Sequence, residues 1–204
     1  MKKRGFTIIE LLVVISVITI ISAIILVSVS TLGIKTKVDV AVNLIFDAMK
    51  EARHNSVSVK EFNSNLFPSY GVYLDQTAPR RIIIYADCVV DDDNNNYIDD
   101  NDNFDYNQAN CAGSNFVKQI DLDSQVAIKE MRTLSCVTGV CVTTVEQKIY
   151  LEYVRPEPLV WITRDDGFSR SLLEPGKIEI DLEDTSGKFQ KKIIIWSTGQ
   201  FATQ

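Results

Sequence analysis

The sequence predicts an α+β protein. One long N-terminal helix, half transmembrane and half amphipathic, packs on an antiparallel β domain of about eight short strands. Three observations carry that expectation. An uncharged run from Leu11 to Ile34 opens the chain behind a short basic segment. A helical apolar period continues from there to about residue 56. From Tyr70 the period falls to two, β-branched and aromatic residues dominate, and no second helical pattern follows.

The N-terminal element comes first. Lys2-Lys3-Arg4-Gly5 precede Phe6-Thr7-Ile8-Ile9-Glu10 and then the apolar run. About 20 apolar residues at ~1.5 Å each span the ~30 Å hydrocarbon core of a bilayer. Cations before the run and an acidic chain after it place Met1 in the cytoplasm and the residues beyond about Lys35 outside. Glu10 stands inside the apolar segment. A charge at membrane depth costs ~2.5–3.5 kcal/mol on insertion scales and calls for a partner. No small-x-small cleavage site follows the run, so an ordinary secretory signal fits poorly. A plain signal anchor with an isolated glutamate is the simpler alternative.

The run Lys2-Lys3-Arg4-Gly5-Phe6-Thr7-Ile8-Ile9-Glu10-Leu11-Leu12 resembles the class III signal of type IV pilins and type II secretion pseudopilins. The resemblance implies that a membrane-embedded prepilin peptidase cuts after Gly5. It implies that Phe6 becomes an N-methylated terminus and that Glu10, fifth in the mature chain, serves assembly. The implied partners are that peptidase, other pilins or pseudopilins and the inner-membrane assembly platform. The implied location is the inner membrane, single-pass with a cytoplasmic N-terminus and an extracytoplasmic C-terminal domain, and then the pilus or pseudopilus. Electrostatics gives Glu10 a task in such a filament. A carboxylate among bundled apolar helices needs a counter-charge, and the freed α-amine of Phe6 on a neighbour can supply it. The expected divisions are a leader at 1–5, a transmembrane helix at 6–34, its amphipathic continuation at 35–56, and a β domain at 57–204 with an acidic loop at 87–111.

The amphipathic half rests on spacing. Val38, Val42, Ile45, Met49 and Ala52 fall on one helical face, and Lys37, Asp39, Asn43, Asp47, Lys50 and Arg53 on the other. Gly33 costs ~1 kcal/mol relative to Ala and is expected to mark a bend at the membrane surface. Asn55 to Ser69 reads as an irregular link. Strands are expected at 70–74, 81–86, 116–122, 126–131, 147–154, 159–163, 177–182 and 191–196. Asp165-Asp166-Gly167, Glu174-Pro175-Gly176 and Thr185-Ser186-Gly187 read as turns. Trp161 and Trp196 read as core residues. Ala52-Arg53 and the closing Ile193-Ile194-Ile195-Trp196-Ser197-Thr198-Gly199-Gln200 are similar to the secretion pathway H and FimT-type branch of the family.

Composition narrows the partners. The chain has 204 residues and a formal net charge of −6, which loss of Lys2, Lys3 and Arg4 would take to −9. About 150 residues beyond the anchor suit one domain. An acidic surface argues against nucleic acid, which needs clustered Lys and Arg. Cys88, Cys111, Cys136 and Cys141 all fall on the outer side, where an even count suggests two disulfides with three possible connectivities. Local pairing, Cys88–Cys111 and Cys136–Cys141, is the expected one. A zinc site is the alternative, but no C-x-x-C pair exists and His54, the single histidine, lies far off in sequence.

The acidic loop carries the one candidate metal site. From Asp87 to Asp105 there are eight aspartates and no Lys or Arg, so the segment repels itself. Calcium loops place oxygen ligands at positions 1, 3, 5, 7, 9 and 12. Counted from Asp91, these are Asp91, Asp93, Asn95, the Tyr97 carbonyl, Asp99 and Asp102. Asn96, at the sharp sixth position, tolerates left-handed dihedrals. Asp102 departs from the usual Glu, and no helices flank the loop. Structural Ca2+ and a solvated acidic loop both remain open. A Cys88–Cys111 bond would close the loop's neck and reduce its freedom by ~3 kcal/mol.

Two function classes follow. The first is a structural subunit, a minor pilin or pseudopilin of a type IV pilus or type II secretion filament. The alternative is a binding module on the same scaffold, for surface adhesion or DNA uptake. DNA would need a basic patch, and Lys188, Lys191 and Lys192 are the nearby cluster; they would have to join Arg80, Arg81 and Arg155. Enzymatic activity is not expected. There is one histidine and no Gly-rich phosphate loop after a strand, and the aspartates resemble ligands or solvated charge more than a tuned acid–base pair.

Overall fold

The computed structural model describes residues 7–58, 61, 68–87, 116–137, 140–153, 160–163, 170–172 and 176–204; for 26–31, 87, 136, 137, 140, 161–163 and 170–172 it describes backbone only. The chain divides into two compact units, Met1–Thr36 and Lys37–Gln204.

The first element is helix α1, Ile8–Val57, and Gly33 lies inside it. In the first unit its side chains from Ile8 to Ile25 are exposed. In the second unit the expected stripe is the buried one. Val38, Val42, Ile45, Met49 and Ala52 are buried, as are Ala41 and Ala48, while Asn43, Asp47, Lys50 and Arg53 are exposed. The helix end is tied to the first strand by Ser56, whose hydroxyl accepts from the Tyr70 amide at 2.9 Å.

Eleven antiparallel strands form two sheets among the described residues. They are β1 Ser69–Asp75, β2 Arg81–Asp87, β3 Phe116–Asp121, β4 Val126–Val137, β5 Val140–Glu146, β6 Lys148–Tyr153, β7 Val160–Thr163, β8 Arg170–Leu172, β9 Gly176–Asp184, β10 Gln190–Trp196 and β11 Phe201–Thr203. The first sheet runs β3-β2-β1-β6-β7-β8 and the second β11-β10-β9-β4-β5. Each of the eight expected strands is present. β4 runs six residues beyond the expected end at Met131, and β5, β8 and β11 are additional.

One core joins the α1 stripe to the inner faces of both sheets. Val72, Leu74, Ile82, Ile84, Ile149 and Leu151 come from the first sheet, and Ile128, Met131, Ile178, Ile180, Leu182, Ile193 and Ile195 from the second. Phe46 of α1 stacks against Phe201 of β11 at 4.4 Å between ring centroids. β9 shows the period-two logic plainly: Ile178, Ile180 and Leu182 point in, while Lys177, Glu179, Asp181 and Glu183 alternate with them. The outer side of this sheet is a ladder of ion pairs. Arg132 bonds Asp181, and Lys177 and Lys192 reach Glu179 at 2.7 and 2.8 Å.

The central strands of the first sheet, β1, β2 and β6, are buried on both faces. Beyond the core face, Tyr73, Ile83, Tyr85 and Tyr150 form a second cluster, with Tyr73 and Tyr150 stacked at 4.7 Å. Gly71 permits this, because a Cβ there would lie 2.5 Å from the Tyr85 ring. Burial holds the Tyr73 phenol far above its ordinary titration range, helped by its bond to Asp75. Burial also pushes the Tyr153 phenol up to about 12.

The β9–β10 turn forms where Thr185-Ser186-Gly187 predicts it. Gly187 takes a positive φ of 70°, and the Asp184 carboxylate accepts from the amides of Ser186 and Phe189 and from the Ser186 hydroxyl. These donors, Ser186 foremost, hold the Asp184 carboxyl at about 2. Asp165-Asp166-Gly167 and Glu174-Pro175 lie outside the described residues. Trp196 corrects the sequence expectation of a core residue: it ends β10 with its side chain on the surface, 36% exposed. The side chain of Trp161 lies outside the described set.

Candidate functional site

The residues with the strongest sequence signal lie at the start of α1, and the local geometry there follows from Thr7-x-x-Glu10. Thr7 precedes the first helical residue and Glu10 occupies the third helical position. Glu10 Oε2 accepts from the Thr7 amide at 2.9 Å and from the Thr7 hydroxyl at 2.8 Å. The Glu10 amide donates back to Thr7 Oγ1 at 3.3 Å. This is a reciprocal capping box, which satisfies helix-end donors that have no partner within the helix. A carboxylate at that end also meets the positive pole of the helix dipole. The arrangement gives Glu10 a partner on its own chain in addition to whatever a neighbour could supply.

Two hydroxyls that interrupt the apolar run, those of Ser16 and Thr19, are satisfied inside the helix. Ser16 Oγ donates to the Leu12 carbonyl at 2.8 Å, and Thr19 Oγ1 to the carbonyls of Ile15 and Ser16 at 3.0 and 2.9 Å. Polar groups closed in this way do not oppose burial in hydrocarbon. Ile8–Ile25 is long and apolar enough to cross a membrane, and none of it is buried within the protein. A large apolar surface with no internal cover marks a segment whose partner lies elsewhere.

The other site residues divide by position. Gly5 and Phe6 lie outside the described residues. So do Asp91, Asp93, Asn95, Tyr97, Asp99 and Asp102 of the acidic loop, together with Cys88 and Cys111. Cys136 and Cys141 are register partners across the β4–β5 hairpin, whose innermost pair is Val137–Val140.

Two of the lysines weighed for DNA are ion-paired. Lys191 pairs with Asp39 at 2.5 Å and Lys192 with Glu179 at 2.8 Å. Hydrogen bonds from Lys177 and Lys192 hold the Glu179 carboxyl at about 2. Lys37 is matched in turn by Asp123 at 3.1 Å. The Gln125 amide, followed by Lys37, holds that carboxyl below its ordinary value. Arg155 lies outside the described residues.

Sequence reasoning took Glu10 as a residue awaiting an outside counter-charge and missed its bonds to Thr7. The signal was present, since a Thr three residues before a Glu at the start of an apolar run is a helix-start pattern.

No curated protein and no solved structure matches the chain. Residues 1–26 match the family model for the prokaryotic N-terminal methylation motif, so the chain carries a prepilin-type signal on its apolar N-terminal helix.

Proposed function

We propose that the protein is a structural subunit, a minor pilin or pseudopilin, of a type IV pilus or type II secretion filament. One observation carries the reading: the methylation motif coincides with an apolar helix exposed from Ile8 to Ile25. Prepilin peptidase would remove residues 1–5 and leave Phe6 as the methylated terminus. The helix would hold the chain in the inner membrane, with residues beyond about Lys35 outside the cytoplasm. It would then bundle with the helices of other pilins on the assembly platform. Glu10, already set at the helix start by Thr7, would accept the Phe6 α-amine of a neighbour. This role is structural, and no catalytic step is assigned to the chain.

The test is to co-express the full chain with a prepilin peptidase and measure the mass of the product and of its N-terminal peptide. The expected product lacks Met1 to Gly5 and carries one added methyl group on Phe6. An unprocessed chain, or cleavage at another bond, sinks the reading.

Two features of the β domain accompany this proposal. The Cys136–Cys141 pair is proposed as a disulfide on register, because directly opposed antiparallel residues have Cα atoms about 4.5–5.5 Å apart, within the range a disulfide spans. Cys88–Cys111 is proposed on sequence grounds. Calcium in the 91–102 loop rests on ligand spacing. A ligand that binds only the folded state raises stability by ~2.7 kcal/mol at a hundredfold excess over Kd. Thermal unfolding with calcium, magnesium or chelator tests it. A rise specific to calcium and lost in the Asp93→Ala, Asp99→Ala double variant is expected, and no shift with either ion removes the claim.

A further inference from the structure

Among the described residues, strand β5 is an edge of the second sheet, paired with β4. A strand covered on one face shows alternating exposure. In β5 every residue from Cys141 to Val145 is exposed, with Val142 at 55% and Val145 at 58%. The strand is seven residues long and contains no Pro or Lys. Its one charge, Glu146, is buried and accepts from the Thr133 hydroxyl at 2.8 Å.

Proteins blunt sheet edges with charge, proline or brevity, because an open edge is a template for another strand. The other edges described here are blunted. β3 carries Asp121 and also Lys118, which is paired with Glu51 at 2.8 Å. β8 and β11 have three residues each. β5 has seven residues and no Pro or Lys, and its single charge, Glu146, is buried at its end, so Val142 to Val145 carry none of these protections.

We propose that β5 is an interaction surface for a second copy of this chain, joined β5 to β5 in antiparallel pairing. Charge and register favour this occupant. With Thr143 at the centre, Thr143 faces Thr143, Val142 faces Thr144, and Val145 faces Cys141. Glu146 then falls opposite Val140, so no like charges are opposed. β-Branched pairs of this kind stabilise a ladder. Among the described edges, β3 brings two charges, Lys118 and Asp121, to the ladder and β8 and β11 only three residues each, so the best match to β5 is β5 itself. β5 is already held in register by β4, from Val140 opposite Val137 to Glu146 opposite Met131, so pairing costs little further conformational freedom. The contact would join five strands from each copy into one sheet. It uses neither Glu10 nor the apolar helix, so it stands or falls separately from filament assembly.

The experiment uses the full chain purified in detergent. Mass is followed by light scattering across concentration, and amide exchange is followed over Val142–Val145. The expected result is a dimer that forms with concentration and slows exchange in β5. Val145→Lys should raise the dimer Kd roughly tenfold or more, since it sets a charge on each copy's edge. The thermal midpoint of the monomer should not move, because that side chain is exposed. Val145→Thr should still dimerise, and Glu10→Ala should leave the β5 contact intact. A chain monomeric at every concentration overturns the proposal. So does a dimer indifferent to Val145→Lys, or β5 protection that appears only when a different protein is added.

Discussion

Helix α1 presents its apolar residues in two ways. From Ile8 to Ile25 they lie on all sides and are exposed, Ile8 at 85% and Ile25 at 54%. From Val38 to Ala52 most lie on one stripe, with Ile45 and Met49 completely buried, and Val40 stands off it at 49% exposed. The polar residues of the second stretch, Asn43, Asp47, Lys50 and Arg53, supply the solvated face that the first stretch lacks. The difference teaches where each stretch finds its partner. The second finds it in the β strands of its own chain. The first is exposed and apolar enough to cross a membrane, and it carries the prepilin-type signal.

The sharpest way to break this comparison is a pair of truncations. Ile45→Ala should lower the unfolding free energy of the β domain by about 2–5 kcal/mol, since it opens a cavity in the shared core. Ile18→Ala should change it by less than ~0.5 kcal/mol. Denaturant melts of the two variants in detergent decide the matter, and equal losses would refute it. Gly71→Ala should follow in size, at about 1–3 kcal/mol, because the new methyl would collide with the Tyr85 ring. Tyrosine near-UV circular dichroism should weaken in parallel.

Acid should also act on the β domain. Glu179 is held at about 2 against an ordinary 4.5, and Asp184 at about 2 against 3.8. Depressed carboxyls contribute stability above their unfolded values and lose it as pH falls through the folded ones. Melting of the β domain should therefore weaken from about pH 4.5 toward pH 2. Asp184→Asn should flatten part of that slope. A β-domain stability that does not change over this interval would contradict the bonding at both residues. The smallest expected effect is at the helix start. Thr7→Ala removes the cap, which costs ~1 kcal/mol locally. It should speed amide exchange in the first turn of α1 and leave the β domain unchanged.

The legible parts were those with a local signal. The stripe from Val38 to Ala52 is a helical period, and the strands around Val72, Ile83, Ile149 and Ile180 are β-branched runs between turn residues. β5, β8 and β11 escaped for a physical reason. β8 and β11 have three residues each, too few to show a period. Cys141-Val142-Thr143-Thr144-Val145 does not alternate polar with apolar, because both of its faces meet solvent. The Thr7–Glu10 pair was legible as a helix start but was read only for its charge.

By itself the sequence determined the N-terminal signal, the apolar helix, the buried stripe and the positions of eight strands. Each of these depends on residues within a turn or two of one another. Only the tertiary structure decided that the chain builds two sheets, that Tyr73, Tyr85 and Tyr150 are covered on the second face of one, and that Trp196 stays on the surface. It also decided that β5 is an edge among the described strands. Those outcomes depend on which distant segment covers which face. A side chain's own chemistry says how much burial would stabilise it, and the rest of the fold decides whether burial is on offer.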